Sequence, residues 1–172
     1  IHPDHRLLWH MPVRRLEAEV IRHSILAAGR KLNVKMFGPP VPIMEDEVGQ
    51  FVVGIENKNG ENRPGPVIPM NGEDFRRSLY VQVRRTRPLS VLDTFDEPAM
   101  EPNCEIRASS TVAPQSLMLM NNEFVITQAR NFAERVSRES GGAPRAQIVH
   151  AWRLAFVRAP NDTELNDALA LV

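Results

Sequence analysis

Glu123-Phe124-Val125-Ile126-Thr127-Gln128-Ala129-Arg130-Asn131-Phe132-Ala133-Glu134-Arg135-Val136-Ser137-Arg138-Glu139 places Val125, Ala129, Phe132, Ala133 and Val136 on one side of a helix, and Gly141-Gly142 ends it. Pro144 opens a second helix, whose apolar stripe is Ile148, Val149, Trp152, Ala155 and Phe156. A third helix is predicted from Asp162 to the end of the chain, because Asn161 with Glu164 three residues on has the form of a capping arrangement. On the other side, Pro114 starts a short helix to Met120, and Asn121-Asn122 breaks it. Four successive helical patterns with short breaks set the fold class: mainly α, an irregular helical domain with a small β component.

The β component is a hairpin plus one short strand. Residues 33–75 lose the helical period and are punctuated by Gly38-Pro39-Pro40, Pro42, Gly60, Pro64-Gly65-Pro66 and Pro69. Within this loop Val41 to Glu45 and Phe51 to Ile55 read as hairpin arms around Glu47-Val48-Gly49. Ser78 to Arg85 alternates, with Leu79, Val81 and Val83 against Tyr80, Gln82 and Arg84, as a half-buried strand does. Pro88 leads into a helical turn over Leu89 to Phe95, and Pro98, Pro102 and Asn103 make residues 96–110 irregular. Before the loop, a helix is predicted from Pro12 to Ala28, with Val13, Leu16, Val20, Ile21, Ile25 and Ala27 on its apolar face and Gly29 as its stop.

The 172 residues fit a single domain, 1–172, long enough to bury a core. Residues 1–11 read as a linker from upstream domains, since the chain opens at Ile1 with His2-Pro3-Asp4-His5-Arg6. Hydrophobic residues at 42% and charged residues at 24% are ordinary globular values, which excludes disorder as the default. No apolar run reaches the roughly 20 residues of a membrane span. The net charge of zero argues against a nucleic-acid partner held by counterion release. Lys31, Lys35 and Lys58 are the only lysines among 21 basic residues; a GC-rich genome gives that bias without function, and bidentate anion pairing gives it with one. Cys104 is the single cysteine, so an internal disulfide and a multi-cysteine zinc site are excluded. Without Cys-x-x-Cys-His the chain holds no c-type haem, and its histidines are scattered, so neither a cofactor nor a metal is expected in it.

Three charged constellations remain. Glu17 projects inside the apolar arc of the first helix with Arg14 three residues back, so a buried ion pair is expected there, with Arg76, Arg77 or Arg84 as other partners. The run Arg76-Arg77-Ser78-Leu79-Tyr80-Val81-Gln82-Val83-Arg84-Arg85-Thr86-Arg87 offers Arg76, Arg77, Tyr80, Gln82 and Arg84 for an anion or a partner; the alternative is that these arginines pair with Asp93, Asp96, Glu17 and Glu19 inside the domain. Asp93-Thr94-Phe95-Asp96 puts two carboxylates on neighbouring positions of a turn, the spacing of acid and base work, although Asp96 before Glu97-Pro98 more often ends a turn than performs catalysis. No glycine-flanked nucleophile surrounds Ser109-Ser110-Thr111 or Ser116, which removes a hydrolase triad.

Arg14-Arg15-Leu16-Glu17-Ala18-Glu19, Gly38-Pro39-Pro40, Arg76-Arg77-Ser78-Leu79-Tyr80-Val81, Asp93-Thr94-Phe95-Asp96, Cys104 with Arg107, Ala113-Pro114-Gln115-Ser116-Leu117 before Met120-Asn121, and Trp152-Arg153-Leu154-Ala155-Phe156 before Arg158-Ala159-Pro160 follow one another in order. The ordered set resembles the planctomycete domain of unknown function at the C-terminus of large proteins that also carry planctomycete cytochrome c domains. Ala27-Ala28-Gly29-Arg30 departs from it, standing where a Ser-Gly pair is expected. The resemblance implies an exported, periplasmic or extracellular multi-domain protein with a haem-binding module upstream. It implies no reaction and supplies no catalytic residue. The expectation is therefore a binding or scaffolding domain that partners its own upstream domains and an anionic polysaccharide, with Arg107 joining the arginine candidates. The alternative is that Glu17, Asp93 or Asp96 serve as acid or base in an enzyme acting on polysaccharide, sulfated or not.

Overall fold

A computed structural model of the protein describes residues 14–60, 65–98, 107 and 109–171. The predicted linker, Pro12, Val13, Pro102, Asn103 and Cys104 lie outside the described residues. Among those described, six helices and one antiparallel hairpin form a mainly α fold, as the breakers and periodicities predict.

Helix α1 spans Ala18–Ala28, six residues shorter at its start than its periodicity predicts. Glu17 stands ahead of it with extended backbone (φ −69°, ψ 152°), and Arg15 reaches out to Thr111 Oγ1 and Gln115 Oε1, which fastens the entering chain to a distant segment instead of a helical turn. The buried face is also rotated. Ala18, Arg22 and Leu26, four residues apart, are buried, while Leu16 and Val20 of the predicted face are exposed. Gly29 ends the helix as expected, and its lack of a side chain matters: a Cβ there would sit 3.2 Å from Asn131 Cβ on a neighbouring helix.

The hairpin pairs β1 (Ile43–Glu45) with β2 (Phe51–Val53) in the register Ile43↔Val53, Met44↔Val52, Glu45↔Phe51. Its turn is made by Asp46, whose Oδ1 accepts from the amides of Val48 (3.0 Å) and Gln50 (2.7 Å), with Gly49 at φ +82°. The predicted strand from Ser78 to Arg85 is replaced by a 3-10 turn over Ser78–Tyr80 followed by one parallel bridge, Val81 to Val41. Its alternation does not match burial: Val81 is buried, but Leu79 and Val83 face solvent. Ser78 is inside instead, because its amide donates to His23 Nε2 at 2.7 Å.

Helix α2 (Ser90–Thr94) closes the core, in which Ala18, Val41, Ile43, Val81, Leu89, Val91, Leu92 and Phe95 pack together. Helices α3 (Ala113–Asn121), α4 (Glu123–Ser140), α5 (Pro144–Phe156) and α6 (Asp162–Ala170) follow with the predicted breaks. Helix α4 packs on α1, α5 on α4 and α6 on α5. Arg135 of α4 donates to the carbonyl of Ala28 at 2.8 Å, satisfying the C-terminal end of α1 with a cation where the dipole favours one. The capping box is present: Asn161 Oδ1 accepts from the Glu164 amide (2.8 Å) and Glu164 Oε2 from the Asn161 amide (2.9 Å). The stripes are narrower than predicted, since Ala129, Ala133, Ala155 and Phe156 are exposed while Gln128, Val136 and Ile148 are buried.

Candidate functional site

Helix α2 ends at Thr94, and the chain reverses through Asp96, which adopts the left-handed conformation at φ +65°. The Glu97 amide then donates to the Leu92 carbonyl at 3.0 Å, so Glu97 folds back beside α2. That reversal brings Asp93 and Glu97, four residues apart, to the same pocket as the extended segment after the Val81 bridge. The pocket encloses about 180 Å³ and is lined by Gln82, Arg84, Arg85, Asp93 and Glu97, with Val81, Val83, Pro88, Leu89 and Pro98 as apolar walls.

Its electrostatics are mixed. Asp93 is exposed and has no hydrogen-bond or ion-pair partner for its carboxylate among the described residues. Burial pushes the Glu97 carboxyl above the ordinary glutamate range, and the charges of Glu19 and Asp93 add to it against the pull of Arg107. Arg84 Nη1 lies 3.5 Å from Glu56 Oε2, and Glu56 is shared with Arg87 at 3.9 Å and with Lys58 at 3.9 Å, while Lys58 also lies 3.7 Å from Glu45. Two guanidinium groups, two carboxylates and one amide around apolar walls form a set of donors and acceptors fitted to hydroxyl and acidic oxygen atoms.

Glu97 yields a stability prediction with a fixed sign. Its folded-state pKa is raised, so the folded state holds a proton that the unfolded state releases, and stability is lost as pH rises from the unfolded value through the folded one. Glu97→Gln is expected to raise the urea midpoint at pH 7 and to flatten its decline above about pH 4.5. An unchanged midpoint and an unchanged pH slope in the variant would refute the assignment.

The structure sorts the remaining candidates. Arg76 has no surface role: it is fully buried, its Nη1 donates to the Pro39 carbonyl (3.1 Å) and lies 3.4 Å from Glu73 Oε2, its Nη2 donates to the Phe37 carbonyl (2.5 Å), and its guanidinium stacks 4.0 Å from the Tyr80 ring. Tyr80 is likewise engaged, its hydroxyl accepting from the Phe37 amide at 3.1 Å. Arg77 is exposed and outside the pocket. Arg107 donates bidentately to Glu19 (2.6 and 3.0 Å), a pairing that holds Glu19 below the ordinary range and Arg107 above it.

The expected buried pair of Arg14 and Glu17 is not formed. Both residues are exposed ahead of α1, because that helix begins one residue beyond Glu17. The buried charge of α1 is Arg22, which donates to the carbonyls of Arg76 (2.7 Å) and Asp74 (2.8 Å); desolvation lowers its pKa to about 10. Asp96 is no partner of Asp93 either: it accepts from the Ser110 amide (2.7 Å) and hydroxyl (2.8 Å), which hold its pKa below the ordinary aspartate value.

Of the predicted residues, the pocket unites Gln82, Arg84 and Asp93. Glu97 and Arg85 were not singled out by the sequence, although Asp93 and Glu97 stand at helical i, i+4 spacing and Arg85 adjoins Arg84. Among the described residues no group of three or more His, Cys, Asp or Glu side chains is arranged to hold a metal ion, and no helix is long and apolar enough to cross a membrane. The family model described as "Protein of unknown function (DUF1553)" matches residues 1–172. No curated protein and no solved structure matches the chain.

Proposed function

The chain belongs to that family of unknown function, and we propose that it serves as a binding domain whose pocket between residues 81–85 and α2 takes an acidic saccharide. The observation that carries this reading is the convergence of Gln82, Arg84 and Arg85 with Asp93 and Glu97 on one pocket. The guanidinium groups suit sulfate or uronic carboxylate oxygens, the carboxylates accept from ring hydroxyls, and Pro88, Leu89 and Pro98 offer an apolar wall to the C–H face of a sugar. The domain acts, in this proposal, within an exported multi-domain protein that carries a cytochrome c module. That wider setting rests on the resemblance of the ordered motifs.

A glycan array of sulfated and uronic-acid oligosaccharides at low and moderate salt tests it. Binding is expected to weaken with salt and to fall about tenfold or more in Arg84→Ala, the scale of one lost charge-assisted hydrogen bond. Arg77→Ala, exposed outside the pocket, should keep its affinity. Equal loss in the two variants, or no glycan bound at either salt, would end the proposal.

One observation favours a catalytic version of the same pocket. Asp93 is exposed while burial favours the protonated form of Glu97, a division of two carboxylates that suits base and acid roles. Incubating the array's binders with the protein and measuring new reducing ends separates the two readings. Product that disappears in Glu97→Gln supports catalysis; bound glycan left intact by the unsubstituted protein supports binding alone.

A further inference from the structure

Two adjacent residues of α1 grip one backbone segment with opposite polarity. Arg22 donates to the carbonyls of Asp74 (2.8 Å) and Arg76 (2.7 Å), whereas His23 Nε2 accepts from the amide of Ser78 at 2.7 Å. An amide N–H only donates, so Nε2 carries a lone pair here and the ring is neutral, with its proton on Nδ1. A protonated ring would set one N–H against another.

The surroundings also oppose that proton. Arg22 and Glu19 on the same helix and Arg77 on the facing segment act on the ring; Glu19 is the one anion of the three, and Arg107 holds it bidentately. Helices α2 and α4, which also pack on α1, bring no charge to bear on the ring among the described residues. Burial first, then the two guanidinium charges, hold the His23 pKa below the ordinary histidine value. Ser78 is placed to pass a displacement on. Its carbonyl accepts from the Val81 amide at 3.0 Å, Val81 lines the arginine-bearing pocket, and Gln82 and Arg84 of the same pocket follow directly.

We propose that His23 is an acid-sensitive latch: protonation of its ring releases the Ser78 amide and loosens residues 78–84 from α1, and with them one wall of the pocket. The latch concerns the shape of the pocket whatever it binds, so it stands or falls apart from the saccharide reading.

The test is a titration of the isotope-labelled full chain from about pH 8 to about pH 4, without ligand, in which the His23 ring nitrogens and the backbone amides are followed by NMR. At the upper end the ring proton is expected on Nδ1. The ring should then titrate below the ordinary midpoint of about 6.5, and the Ser78, Val81 and Gln82 amides should move with the same midpoint. Since the unfolded chain takes up this proton first, the stability it carries is present above about pH 6.5 and is lost as pH falls from there through the folded midpoint, which urea unfolding reads. His23→Gln, whose side-chain oxygen accepts the same bond without titrating, should abolish both the amide movements and that loss. Arg77→Gln, an exposed change, should raise the ring's midpoint by removing an opposing charge, a test that stands even if His23→Gln fails to fold. Four results would each overturn the latch: a proton on Nε2 at the upper end, a ring that titrates at or above about 6.5 while Ser78 stays still, a Gln82 amide that does not follow Ser78, or movements that survive unchanged in His23→Gln and so belong to the pocket's own carboxylates.

Discussion

Arg76→Leu is expected to lower the unfolding free energy by about 3–5 kcal/mol, the range for removing one partner from a buried charged network. Arg76 is fully enclosed and holds three separate groups: the carbonyls of Phe37 and Pro39 and the carboxylate of Glu73. Leucine would fill much of the space left by the stem but would leave both carbonyls without a donor, each costing about 1–3 kcal/mol. Phe37, which sits at φ +61° before Gly38 at φ +95°, would lose the contact that keeps a side-chain-bearing residue in the left-handed region. Lysine should not rescue the site, since one ammonium group cannot span two carbonyls and also stack on Tyr80. Urea unfolding decides the matter: a midpoint within experimental error of the parent for Arg76→Leu would mean that the clamp contributes nothing.

Ile43→Ala should cost about 2–5 kcal/mol, by lost transfer energy and by the cavity it leaves. Ile43 is fully buried, pairs with Val53 across the hairpin and belongs to the cluster that includes Ala18, Leu92 and Phe95. Ile43→Val, one methylene smaller, should cost only about 0.5–1.5 kcal/mol. The pair of values is more telling than either alone, because a core that collapses easily would give similar small losses for both. Since Leu89 belongs to this cluster and also lines the arginine-bearing pocket, the alanine variant is further expected to weaken binding there.

The parts of this fold that could be read from residues alone are those decided within a few positions. Gly141 and Pro144 bound the helices on either side of them, Asn161 and Glu164 cap each other, and the hairpin reverses where Gly49 permits it. What could not be read depends on partners far away in the chain. Arg15 meets Gln115, Arg107 meets Glu19, and Arg22 meets the carbonyl of Arg76. A helical wheel treats Arg22 as surface and Leu16 as core, and only these distant acceptors reverse the two. The alternation from Leu79 to Val83 misleads for the same reason, because a bridge at Val81 and a histidine acceptor for Ser78 override local preference. Gln82, Arg84 and Asp93 were legible as site residues by their chemistry. Glu97 was hidden by the reversal at Asp96, which no spacing rule announces for an aspartate.

The stacking of α4, α5 and α6, each on the one before it, also sets an order of events as the chain collapses. Their mutual contacts close loops of a few residues, whereas the arginine clamps of the N-terminal half join residues 37 to 100 positions apart. Closing the longer loops costs more chain entropy before any contact compensates for it. The three C-terminal helices are therefore expected to assemble early, and the hairpin core, which needs its distant clamps, to form last.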